Sequence, residues 1–291
     1  MPTRLFTFVQ MELPWQLGPA DGRYLLRKAT IAPDAREPQH VIVLSTVGAD
    51  RRGLLGRRTR TRRVDPEPGP TPVPVTRATI IDPVALSAES QAHAWLRELD
   101  AEREAQTAAD VLNRMLFAHR IASAEPHTHE VSPAQALVVR AGFGEGEHVA
   151  DGLWVSARDL LLSDKRAGRR ASVLRPQERL AALLSARENH LLCEELVLRA
   201  RLDLDGSRVA LAAIELERAY AAALVELADE RREDLRERIE ELEQLHPGVV
   251  ETADAALPPS ALEPEEQSVR HALERLEAAL RARTAHRSTL Q

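Results

Sequence analysis

From Arg175 to Leu245 apolar side chains recur at spacings of three, four and seven, the pattern of helices that bury one stripe. A first arm places Leu180, Leu184, Leu191, Leu198 and Leu202 on one face. A second runs from Val209 through Leu224 and Leu227 to Leu235, Ile239 and Leu242. Between them, Asp203-Leu204-Asp205-Gly206 reads as the reversal of a helical hairpin. Gly206 is free to take the left-handed conformation and Ser207 is placed to cap the second arm. Pro247-Gly248 is expected to end that arm. Val269, Leu273, Leu276 and Leu280 then mark a last amphipathic helix.

The N-terminal pattern has period two instead. Leu5 to Leu13, Arg23 to Ala29 and His40 to Thr46 read as strands, with a turn at Pro19-Ala20-Asp21-Gly22. Val73 to Ile81 adds a fourth, which Pro72, Pro74 and Pro83 should confine to a sheet edge. Ser87 to Ala122 reads as one long helix. Ala136 to Ala141 is a strand, expected to run into a glycine-rich turn at Gly142, Gly144 and Gly146.

The expected fold class is therefore α+β and predominantly α-helical, with a small N-terminal antiparallel β module followed by long helices that include the hairpin. The pattern divides the chain into a β module (1–82, with an Arg-rich loop at 48–74), a long helix with a small β element (83–170), the hairpin (171–246), a linker (247–263) and a C-terminal helix (264–291).

Composition changes this picture little. The chain has 291 residues, 44% hydrophobic and 29% charged, with aromatics at only 3%, so its cores must be built from Leu, Ala and Val. Two of the 39 basic side chains, Lys28 and Lys165, are lysines, a skew that fits codon bias better than a demand for guanidinium chemistry. The lone Cys193 excludes an intramolecular disulfide framework. No apolar leader or membrane-length run stands out, so a cytoplasmic location without membrane contact is expected.

The net charge of −6 hides an N-terminal basic cluster: Arg51, Arg52, Arg57, Arg58, Arg60, Arg62 and Arg63. Such a loop could neutralise phosphates, although no aromatic lies among the arginines to stack a base. His119, His127, His129 with Glu130, and His148 offer imidazoles and a carboxylate of the kind that zinc takes, but at spacings that do not enforce convergence. The strand-to-glycine run at 138–146 lacks the lysine and the spacing of a phosphate loop, and Glu145 and Glu147 would repel phosphate. His190 and Cys193 share a helix face, yet a lone pair cannot complete a metal site.

No catalytic order of nucleophile and base appears, and no cofactor is called for. The reading favoured is a non-enzymatic protein whose helices mediate self-association or partner binding. A second arm unbroken from Ser207 to Leu245 would span about 58 Å at 1.5 Å per residue, more than a compact domain requires. Leu235, Ile239 and Leu242 would then lie past the first arm's reach. They should pack on Leu273, Leu276 and Leu280 of the C-terminal helix folded back within the same chain, with a second copy of the chain as the close alternative. The alternatives are a nucleic-acid- or anion-binding regulatory protein acting through the Arg loop, and a metal-dependent hydrolase built on the histidines.

Overall fold

The structure is a computed structural model that describes residues 4–27, 38–48, 73–162, 176–230, 232–258 and 264–287, with residues 285–287 described as backbone alone. The chain forms two compact units, 1–163 and 164–291. The fold is α+β, an antiparallel sheet of six strands followed by helices that pack in pairs.

The first unit is built on β1 (Leu5–Leu13), β2 (Gly22–Leu26), β3 (His40–Val47), β4 (Val75–Ile81), β5 (Val138–Glu145) and β6 (Ser156–Asp159). Their spatial order is β2-β3-β4-β1-β5-β6, every pairing antiparallel. Segments 1–82 and 83–170 thus contribute to one sheet, because β1 pairs with β4 on one side and β5 on the other. Alternation along β1 sorts the two faces. Leu5, Val9, Met11 and Leu13 enter the main core with helices α1 (Glu89–Glu98) and α2 (Ala101–Ser123). Phe8 joins Ile81 and Val149 in a smaller cluster on the opposite face.

Three expectations need correction here. Strand β4 is not an edge: it pairs with both β3 and β1. Its flanking prolines fall outside the paired stretch Val75–Ile81, so no ladder donor is lost. The single helix at 87–122 is two, interrupted at Leu99. The Asp100 side chain accepts the backbone N–H groups of Glu102 and Arg103 at 3.1 and 3.2 Å and opens α2 as its N-cap. Gly142 and Gly144 belong to strand β5 rather than to a turn. Their value is space: a Cβ at Gly142 would come within 2.5 Å of the Ser156 carbonyl oxygen, and one at Gly144 within 2.7 Å of Val149.

In the second unit each arm of the hairpin is broken. The first consists of α3 (Pro176–Leu184) and α4 (Leu192–Asp205), the second of α5 (Val209–Glu226) and α6 (Glu233–Ala256); α7 (Glu266–Arg287) follows. The reversal falls where the pattern placed it, but with a different local device. Gly206 has φ −80° and it is Ser207, at φ 56°, that adopts the left-handed conformation. Gly206 makes room for the Arg208 guanidinium, which an added Cβ would overlap. Arg208 bonds Asp203 across the turn at 2.6 Å.

The 58 Å second arm does not exist as one rod, since α5 and α6 are separate helices. Nor does Pro247 end α6, which continues to Ala256. The apolar face Leu242, Val249 and Ala253 is buried on both sides of the proline. Packing of that face outweighs the missing amide hydrogen bond.

Candidate interaction surface

Helix α4 carries apolar residues on two opposite faces, and the structure buries the smaller ones. Cys193, Val197, Ala200 and Leu204 face the core of the unit. Opposite them across this core stand Ala212, Ala213, Leu216, Ala219, Tyr220 and Ala223 of α5. Short side chains let helix axes approach closely, which favours this alanine-lined seam over one made of leucines. Leu198 and Leu202 are consequently turned outward, 66% and 46% exposed. On α3, Leu180 and Leu184 show the same i, i+4 pairing at 47% and 79% exposure. Fully burying one such side chain is worth about 1.5–3 kcal/mol, and none of the four realises that in full within the chain.

The outward face is held by a well-made helix start. Arg179 of α3 donates to both carboxylate oxygens of Glu194 at 2.7 Å, tying α3 to the first turn of α4. Glu194 also accepts the Leu191 N–H at 3.0 Å, and Glu226 accepts those of Leu192 and Cys193 at 2.8 and 3.0 Å. The amides at the N-terminus of α4 are therefore met by the protein's own carboxylates. Burial works to raise the Glu226 pKa, but the hydrogen bonds from Cys193 and Leu192 outweigh it and hold the carboxyl below its usual range. Burial pushes the Cys193 thiol far above its ordinary value, and Glu226 beside it adds to the shift. The thiol stays protonated and serves as a small core side chain rather than a nucleophile. On the outward face Glu195 and Arg199 pair at 3.0 Å, giving the leucines a charged flank.

The stripe singled out as an interface lies largely inside the unit. Leu235 and Leu242 are buried and Ile239 is partly buried; Leu242 and Ile239 belong to the core cluster that holds Leu273, Leu276 and Leu280. Around them Arg275 pairs with Glu241 at 2.6 Å, and the Tyr220 hydroxyl donates to the Ala272 carbonyl at 2.8 Å.

The histidines do not converge. His127 and His129 sit exposed in the loop after α2, His119 packs against Gly18, and His148 is exposed in a short 3-10 turn beyond β5. Among the described residues no group of three or more His, Cys, Asp or Glu side chains is arranged to hold a metal ion. Glu130 and His148 are thus not brought into one site with His127 and His129. Arg51, Arg52, Arg57, Arg58, Arg60, Arg62 and Arg63 lie outside the described residues.

Other arginines stand on the sheet face turned away from the helices, each matched by an acceptor. Arg77 bonds Glu12 at 3.0 Å, and Arg140 bonds Asp159 at 2.9 Å and Gln10 at 3.2 Å. Arg23 bonds Glu147 and Asp151 at 3.0 and 2.8 Å. Among the described residues no helix is long and apolar enough to cross a membrane. Comparison with family models, curated proteins and solved structures gives no match to the chain.

Proposed function

We propose that the chain is a non-enzymatic interaction protein whose helical unit binds another polypeptide, either a second copy or a different chain. The outward leucines of α3 and α4 are the contact surface. The observation that carries this reading is the exposure of Leu198 and Leu202 on the face of α4 opposite its buried one. The support has moved from the stripe the sequence nominated, since Leu235 and Leu242 are occupied internally. A surface helix that spends leucines on solvent while its own core is closed by alanines has apolar area left for a partner.

The test is sedimentation of the full chain across the micromolar range, together with capture of bound proteins, for the native sequence and for Leu198→Glu with Leu202→Glu. The native chain should show mass above the monomer or a stoichiometric partner. The variant should lose either one while keeping its helical circular dichroism. A native chain that stays monomeric and captures the same proteins as the variant would overturn the reading.

A further inference from the structure

A groove of about 610 Å³ opens in the helical unit among α5, α6 and the first turns of α7. Its size falls in the range of small-molecule sites. Ala213, Leu216, Val249, Val269 and Ala272 give it an apolar floor, all of them buried. The polar part of the lining includes Glu251, Glu265 and His271, and among the described residues no lysine or arginine lines it. Arg270, on the same turn of α7, is instead paired with Glu266, outside the lining. Glu251 forms no ion pair with a described residue, and Glu265 accepts only the neutral Ser268 hydroxyl at 2.8 Å.

Pro247 and Gly248, read in the sequence as helix-ending signals, lie inside a continuous helix, and Gly248 lines the groove. It does so without a side chain, and a Cβ placed there would meet nothing within 4 Å.

From this combination we infer that the groove binds an amphipathic amine. The apolar body lies on Leu216, Val249 and Val269, and the protonated nitrogen is held at the Glu251 and Glu265 rim. An anionic head group would face two carboxylates with no lysine or arginine among the described lining residues to offset them. A neutral molecule of the same shape would gain only the apolar part of the binding free energy. The site shares no residue with the outward leucine surface and does not depend on that surface having a partner.

Calorimetric titration of the full chain with octylamine, octanol and octanoate, each below its self-association concentration, tests the inference. Octylamine should bind at one saturable site, several-fold more tightly than octanol, and octanoate should not bind. Glu251→Gln with Glu265→Gln should reduce octylamine to the affinity of octanol. Gly248→Leu should abolish binding of both. A leucine suits an exposed helical position better than glycine, so this variant should melt no lower than the native chain. The inference is wrong if octylamine does not saturate, if it binds no better than octanol, or if Gly248→Leu leaves it bound.

Discussion

Glu226 shows how one side chain can settle a helix. It comes from the last turn of α5 yet accepts the two N–H groups that begin α4, so it joins the helices end to start. Glu226→Gln keeps the shape but weakens charge-assisted acceptance, and it should cost about 1 kcal/mol, the usual worth of an N-terminal cap. The pH dependence follows from the direction of the shift. The folded carboxyl is held below the ordinary 4.5. Its contribution is therefore complete above that value and is lost as pH falls through the folded pKa. The stability gap between native and variant chains, read by urea unfolding, should be constant near neutrality and shrink in acid. A gap that widens in acid would mean the carboxylate is not the acceptor drawn here. None of this was legible in the sequence, since Leu192 and Glu226 are 34 positions apart.

At the scale of elements, α6 is the case where local signals and packing disagree. Pro247 removes an amide hydrogen bond and its ring crowds the preceding turn, at a cost near 3 kcal/mol in an unsupported helix. The helix persists because Leu242, Val249 and Ala253 are buried on either side. Pro247→Ala should therefore raise the melting temperature, by an amount corresponding to about 1–3 kcal/mol. A fall would show that the backbone geometry at Pro247 is itself required by the packing. Helix α4 teaches the complementary lesson. Its spacing pointed to the leucine face that includes Leu198 and Leu202 as the buried one, and the structure buries instead the set with Cys193 and Ala200. The alanines of α5 made the choice.

For the whole molecule, the two units have separate cores: Met11, Ile42, Leu112 and Phe143 in one, and Leu204, Leu216, Tyr220 and Leu273 in the other. Each core is large enough to support cooperative folding by itself. The fragment Asp164–Gln291 should give a helical spectrum and a single cooperative thermal transition when produced alone. A fragment that is unfolded, or that melts without cooperativity, would show that the second core needs the first unit.

Period alone determined much of this protein. The strands β1 and β3, the reversal at Asp203–Gly206 and the last helix with Val269, Leu273, Leu276 and Leu280 follow from side-chain spacing, because each must turn one face to a core. Tertiary structure decided what spacing cannot encode. The central place of β4 depends on pairing with both β3 and β1, and that of β1 on β5, which arrives some sixty residues after β4. The strand character of Gly142 and Gly144 depends on pairing with β1 and β6, and the close approach of Ser156, Phe8, Val149 and Trp154 leaves no room for a side chain there. The internal place of Leu242 and the outward place of Leu198 were fixed by which neighbouring helix offered the closest approach. That is a property of two surfaces together, and no single stretch of sequence contains it.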